Sequence, residues 1–324
     1  MTQSTNNASP VGLTLAMKPQ ESFAETVGRY LSMDSRVVEI PYRLPFAGTS
    51  CRLSDLSGRA LRQIKAQTAR FDRLSFHAPL GNTLLTNPEI QRAILTSLRQ
   101  AVQEAALIGA QAIALHIEPM YPNLAFSEHI LYKSAEILRD LAEYAACYGV
   151  QLGLETEYPY TLTDFLGLID AVDHTHFGAT VDVGHLYDRR VPHHTYIDRD
   201  LLRSAAGPAA YNSLLQELTA ALLQRDKLFH VHIHQQRVEA LGDDWTYSPS
   251  DHFTLDKGFI AIPRFLQQLR HGGYGGIIIC EVVRGNNYPQ EPVITDAEKL
   301  ASLRLAQKWW NEAKPEPTEC TSLC

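Results

Sequence analysis

Apolar residues in this chain gather in short, nearly continuous runs, and each run gives way to a longer stretch with helical spacing. In order the runs are VGLTLAMK from Val11, RVVEIPY from Arg36, RLSFHAP from Arg73, AIALHIEP from Ala112, VQLGLETEY from Val150, FGATVDVGHLY from Phe177, LFHVHIHQQ from Leu228 and GGIIICEVV from Gly275. Runs without polar alternation read as strands buried on both faces of a parallel sheet. The stretches between them read as helices. SFAETVGRYLSM comes first, then a helix from about Ser54 to Phe71 that Ser54-Asp55 is able to cap. NPEIQRAILTSLRQAVQEAALIGA starts on Asn87 and Pro88 and ends near Gly109, and a helix from about Ser127 to Tyr148 stops at Gly149. TLTDFLGLIDAVD, SLLQELTAALLQ, IPRFLQQLRHGGY and TDAEKLASLRLAQKWWNEA complete the series.

Strand followed by helix, eight times over, places the chain in the α/β class as a single TIM (β/α)8 barrel over residues 11–312. Residues 1–10 are expected to be a flexible N-terminus and 313–324 a flexible C-terminal tail. An open doubly wound sheet is the alternative, but it gathers ligands at one switch point. Here polar residues recur at the ends of at least six strands, which only a closed ring brings together. The loops from about Tyr187 to Asn212 and from Gln235 to Lys257 are long enough to form lids.

Composition narrows the picture a little. With 45% hydrophobic and 20% charged residues among 324, the chain is ordinary for a globular protein, and its net charge of -7 argues against a broad nucleic-acid-binding surface. No apolar run reaches membrane-spanning length, and the polar start MTQSTNNASP lacks a secretory pattern. Five scattered cysteines, Cys51, Cys147, Cys280, Cys320 and Cys324, suit a reducing cytoplasm rather than a disulfide framework. A prenylation box needs Cys fourth from the end, where Thr321 stands, so none is expected.

The candidate chemistry lies where the apolar runs end. Seven of the 13 histidines, His77, His116, His185, His230, His232, His234 and His252, fall there together with Glu155, Asp182, Asp251 and Glu281. Imidazoles and carboxylates bind divalent metals at neutral pH, and barrel chemistry sits at the C-terminal strand ends. A carboxylate inside a buried strand costs free energy unless it is paired or metal-bound. Arg284 is a candidate partner for Glu281, but no basic residue lies in the runs around Glu155 and Asp182. His77 and His116 occupy equivalent places on successive strands. His230, His232 and His234 share one strand face and cannot all bind one ion. The middle one, His232, is the ligand candidate, with His230 deeper and His234 behind the ligands or facing substrate. Gly184 lets the chain turn between Asp182 and His185. Glu39 and Glu157 are inward or rim positions without an assigned role, and His174, His176, His193, His194 and His271 read as solvated. Trp245, Tyr247 and Phe253 could stack on a sugar face or simply pack their loop.

Taken together, FHAP, LHIEP, LETE, VDVGH, VHIH, DHFTLDKG and ICEV resemble the motifs of the xylose isomerase-like TIM barrels. That superfamily includes sugar isomerases and epimerases, inosose dehydratase-like proteins and endonuclease IV-type AP endonucleases. The epimerase pattern implies one divalent metal, Mn, Mg, Co or Zn, held by Glu155, Asp182, His232 and Glu281. Glu155 and Glu281 double as the acid/base pair, His185 and His234 face the substrate, and Arg237 and Lys257 bind it. The endonuclease IV pattern implies up to three zinc ions: one on His77, His116 and a bridging Glu155, one on Asp182, His232 and Glu281, and one involving His185 and His252. The chain departs from that family's Asp-x-His motif. Ser250 stands at the expected Asp, and Asp251 substitutes only if the loop shifts.

Three functions follow as expectations. The first is a metal-dependent isomerase or epimerase acting on a sugar, sugar phosphate or polyol, with a small-molecule substrate, no nucleic acid or membrane partner, and a homodimeric state. The second is a multi-zinc phosphoesterase or other hydrolase acting on a small substrate. The third is a non-catalytic metal-binding barrel.

Overall fold

A computed structural model describes residues 9–18, 20–46, 49–118, 126–187, 196–238, 251–283 and 292–313. The expected flexible ends, apart from residues 9, 10 and 313, lie outside these ranges. Eight parallel strands close into a barrel: β1 Val11–Thr14, β2 Val37–Pro41, β5 Arg73–His77, β6 Ala112–Leu115, β7 Gln151–Glu155, β8 Phe177–Asp182, β9 Leu228–Ile233 and β10 Ile277–Cys280. Around the ring the order is β1, β10, β9, β8, β7, β6, β5, β2. Leu13 lies beside Val38 on one side and Cys280 on the other, so the ring is closed. This is the TIM barrel that the strand–helix alternation predicts, and closure excludes the open sheet.

The helices are α1 Phe23–Ser32, α2 Gly58–Thr68, α3 Pro88–Ile108, α4 Glu128–Ala146, α5 Leu162–Val172, α6 Arg199–Arg203, α7 Gly207–Gln224, α8 Ile262–His271 and α9 Asp296–Glu312. Their ends follow the local chemistry. Asn87 accepts the Glu89 N–H at the start of α3, Pro88 opens the helix, and Gly109 closes it at φ 83°, a left-handed conformation that suits glycine. Ser127 caps α4 by accepting from Ile130. No helix among the described residues is long and apolar enough to cross a membrane.

Three details differ from the sequence expectation. An antiparallel hairpin, β3 Leu44–Phe46 with β4 Thr49–Cys51, intervenes between β2 and α2. Ser57 rather than Ser54-Asp55 caps α2, accepting from Ala60. Asp55 is diverted to the backbone N–H and guanidinium of Arg52, which holds Leu53–Asp55 as a separate 3-10 turn. The stretch after Tyr187 is not all loop either. Asp198 accepts from Asp200 and Leu201 to start α6, and α7 begins at Gly207.

Apolar outer faces of the strands pack under the helices in one continuous core. Val37, Ile277 and Ile279 form a separate apolar group, sharing a strand face by period-two alternation with Glu39 and Glu281. The barrel interior is therefore apolar toward its N-terminal end and polar toward its C-terminal end.

Candidate metal centre

Four consecutive strands deliver the central residues. Glu155 ends β7, Asp182 ends β8, His232 lies near the end of β9, and Glu281 follows β10 directly. Asp182 is in register with His232, and Ile279 is also, which puts Glu281 one period-two step beyond His232 on the same face. Glu155, Asp182 and His232 are at most 1% exposed and Glu281 is 8% exposed. One potential ligand atom from each lies within 4.8 Å of all the others. His232 Nδ1 stands 3.1 Å from Glu281 Oε2, 3.5 Å from Glu155 Oε1 and 3.7 Å from Asp182 Oδ2. Yet His232 Nδ1 and both Glu155 oxygens are buried without a hydrogen bond.

The imidazoles are braced from behind. His232 Nε2 lies 2.9 Å from Glu39 Oε2, and a carboxylate accepts, so this nitrogen donates and Nδ1 is left facing the centre. His116 repeats the arrangement, with Nδ1 2.9 Å from Glu157 Oε2 and Nε2 2.8 Å from Glu155 Oε2. His77 donates Nδ1–H to the Ala78 carbonyl at 2.8 Å and turns Nε2 toward Glu155 Oε2, 3.9 Å away. His252 Nδ1 contacts Asp251 Oδ1 at 2.9 Å while Nε2 faces Glu281 Oε2 at 3.6 Å. An acceptor on one ring nitrogen and an inward-facing second nitrogen is the pattern of metal-ligating histidine. Carboxylates plus braced imidazoles, with orphaned atoms converging on one point, fit a divalent cation.

Charge has the same structure. Burial alone would depress His185, but the Asp182 and Glu155 carboxylates override it and carry the imidazole up to about 10. Burial also opposes the charged form of His252, and Asp251 and Glu281 raise it to about 10. His232 is likewise carried well above its ordinary range, by Glu39, Glu281 and Glu155, against burial. Glu155 moves the other way: His116 and His232 hold it well below the carboxylate range despite complete burial. The cluster of anions calls for positive charge, which protons on the rings or a bound cation supply. Among the described residues no lysine or arginine pairs with Glu39, Glu155, Asp182 or Glu281, whose ion-pair partners are all histidines.

The remaining sequence candidates sort by position. His185 Nδ1 lies 3.1 Å from Glu155 Oε1 and 3.9 Å from Asp182 Oδ2, bordering the central set. His252 reaches the same region from a left-handed backbone at φ 59°. His234 is fully buried, with Nε2 2.8 Å from Asp182 Oδ1. His230 sits deeper, with Nε2 2.9 Å from Ser75 Oγ, as its place one step below His232 implies. Among the described residues, Arg237 and Lys257 are not included in the ion pairs of Glu155, Asp182 and Glu281. They line a separate open cavity with Gly258 and Phe259, Arg237 resting 5.1 Å over the Phe253 ring and Lys257 Nζ 3.7 Å from Glu298. Phe253 thus packs its loop. His193, His194, Trp245, Tyr247, Ser250 and Arg284 lie outside the described residues.

Glu39 and Glu157 acquire roles that the sequence leaves open. The signal for Glu39 is the one that marks Glu155, a carboxylate inside an apolar run, but nothing local tells which histidine it meets across the barrel.

A family model described as xylose isomerase-like TIM barrel matches residues 31–306. No curated protein sequence matches the chain. Among solved structures, a D-tagatose 3-epimerase-like protein superposes with TM-score 0.64 at 18% identity, covering 94% of this chain and 97% of that one. The apo form of 3-keto-D-glucoside 4-epimerase from E. coli gives 0.61 at 16% identity, covering 94% and 100%. A Thermus thermophilus protein soaked with ZnCl2 gives 0.58 at 19% identity, covering 95% and 100%. At these identities the likeness is one of fold.

Proposed function

Because the chain belongs to the xylose isomerase-like TIM barrel family, we propose that it is a divalent-metal-dependent isomerase or epimerase acting on a sugar, sugar phosphate or polyol. The observation that carries this reading is the convergence of Glu155, Asp182, His232 and Glu281, with both Glu155 oxygens and His232 Nδ1 buried and unbonded. These four residues would hold the cation, which when bound would polarise a carbonyl–hydroxyl pair and acidify the adjacent C–H. Glu155 and Glu281 come from β7 and from the end of β10, with β8 and β9 between them in the ring. They therefore flank Asp182 and His232, as two carboxylates must to remove a proton from one face of a carbon and return it at the other. Glu281 is the most exposed of the four. His185, 17% exposed at the rim, donates to a substrate oxygen. The epimerases among the similar folds support the substrate class.

One observation favours a second reading, a multi-zinc hydrolase acting on a small substrate. His77 and His116 direct nitrogens at the second Glu155 oxygen, so that Glu155 is shared between two ligand sets.

Metal analysis combined with isotope exchange separates the two. About one Mn, Mg or Co per chain, with deuterium entering a ketose C–H from D2O and a Glu155→Gln/Glu281→Gln double variant abolishing that exchange, is the expected result. Two or three tightly held zinc ions, with phosphoester hydrolysis and no C–H exchange, would replace the first reading by the second.

A further inference from the structure

By distance alone His234 joins Asp182, His185 and His252 as one more candidate metal ligand, since their polar atoms lie within 4.8 Å of one another. Its hydrogen bonds assign it otherwise. The backbone N–H of His252 donates to His234 Nδ1 at 2.9 Å. A backbone N–H has only a proton to offer, so Nδ1 accepts and carries no proton of its own. The Gln235 carbonyl, 3.3 Å from the same nitrogen, is the weaker contact. The ring proton is therefore on Nε2, which lies 2.8 Å from Asp182 Oδ1 and donates to it. Both nitrogens are occupied, and no lone pair remains for a cation. His77, His116, His232 and His252 differ, because each places an acceptor behind one nitrogen and turns the other inward.

We infer that His234 is a positioning residue that orients the Asp182 carboxylate and ties it to the docking of the segment bearing His252. Asp182 Oδ1 also accepts the Gly184 N–H at 2.7 Å, so two protein donors hold that oxygen, while Oδ2, 3.1 Å from His234 Nε2, stands 3.7 Å from His232 Nδ1 on the side of the centre. The ring is seated tightly. A Cβ on Gly184 would lie 2.1 Å from His234 Cε1, which makes glycine the residue that admits the imidazole. The His252 ring stacks on it at 4.2 Å between centroids and 10° between planes. Gln235 and Phe253 exchange backbone hydrogen bonds at 3.0 and 3.1 Å on the next pair of positions, fixing the segment against the end of β9. The left-handed backbone of His252 aims its N–H at His234 while its own Nε2 faces Glu281. One docking event therefore brings in His252 and sets the tautomer that orients Asp182.

The inference rests on the reading of Asp182 as a metal ligand, and the test keeps the two apart. Wild-type protein, His234→Gln and His234→Leu are compared by zinc competition against a chromophoric chelator, by amide hydrogen exchange at His252, and by long-range 1H–15N spectra of 15N-histidine-labelled protein. Glutamine can both donate to Asp182 and accept from His252, whereas leucine can do neither. The expected result is an Nε2–H tautomer for His234 that survives saturation with zinc, affinity lowered by about ten- to a hundredfold in His234→Leu, and affinity largely restored in His234→Gln. His252 amide exchange should accelerate in the leucine variant and not in the glutamine variant. Loss of the Nε2–H on adding zinc makes His234 a ligand and overturns the inference, as does wild-type zinc affinity in His234→Leu. If wild-type protein binds no divalent metal, the proposed function fails. The tautomer and the His252 exchange then decide the positioning role alone, and an Nδ1–H tautomer or unchanged exchange ends it.

Discussion

At the N-terminal end of the barrel, Arg73 donates to the carbonyls of Gly276 and Gly275 at 2.7 and 2.8 Å and to Gln111 at 3.3 Å. Nearby Lys227 donates to the carbonyls of His174 and Phe177 at 2.7 and 3.2 Å. At the C-terminal end the partly buried cations give way to fully buried anions, which among the described residues are answered by imidazoles alone. Glu155 has two buried oxygens with no hydrogen bond, and its neighbours are imidazoles that already donate elsewhere. Buried charge in a barrel is thus no mark of function by itself. The N-terminal charges are solvated by the chain's own carbonyls, and such charges serve the fold. The C-terminal ones are left open in a coordinated way, and the open valences converge.

The sharpest way to break this contrast is Glu155→Gln, which keeps shape and removes the charge shared by two ligand sets. Divalent-metal affinity is expected to fall by more than about 100-fold, beyond what is usual for outer partners. Equal metal affinity in a calorimetric titration would mean that the open valences at the C-terminal end do not hold the ion. Glu157→Gln probes the brace behind His116 and leaves the central carboxylates in place. It should weaken the tightest zinc equivalent by about 10-fold or more if His77, His116 and Glu155 form a site of their own. A single-metal enzyme centred on His232 would be indifferent to it, so the same variant bears on the choice between isomerase and hydrolase.

Much of this contrast is legible in the sequence. Apolar runs at strand length followed by helical stretches specify a parallel α/β fold, and polar residues recurring at the ends of at least six strands favour the closed barrel over the open sheet. Glu155, Asp182, His232 and Glu281 stand out because a carboxylate or imidazole in such a run needs a special partner. Cross-barrel pairings are not legible. Glu39 meets His232 at a sequence separation of 193, and only ring closure makes them neighbours. His234 reads equally as substrate-facing or as lying behind the ligands, because period-two alternation gives its face but not its tautomer. That tautomer depends on one backbone N–H from residue 252. The cap of α2 is misplaced by sequence for a local reason, since Arg52 competes for Asp55.

The opposite end supplies a control. Arg73→Leu removes three hydrogen bonds made by a partly buried cation. A stability loss of about 2 kcal/mol in urea unfolding is expected, with metal affinity unchanged. If metal affinity fell in parallel, the two ends could not be treated as separate in purpose.

The smallest expected effect comes from a carboxylate near the C-terminal rim that does have a cation. Glu21, in the loop after β1, lies 2.6 Å from the Arg29 guanidinium, and Arg29 also donates to Asp296 and to the Ala16 carbonyl. The Arg29 hydrogen bonds hold Glu21 down from 4.5 to about 2, with Thr26 and the Lys18 backbone assisting against burial. A carboxyl with a depressed folded-state pKa takes up its proton more readily in the unfolded chain. It therefore stabilises the fold above about 4.5, and that contribution drains away as pH falls toward about 2. Glu21→Gln should make the acid limb of the stability curve shallower over that interval, while metal affinity at neutral pH stays at the wild-type value. Urea unfolding at stepped pH measures the slope. An unchanged slope would show that this largely buried ion pair contributes nothing to acid stability. A loss of metal binding would extend the functional region beyond the ring of ligands to the β1 loop. The expected separation of the two readouts is what distinguishes a carboxylate answered by arginine from the carboxylates that await a metal.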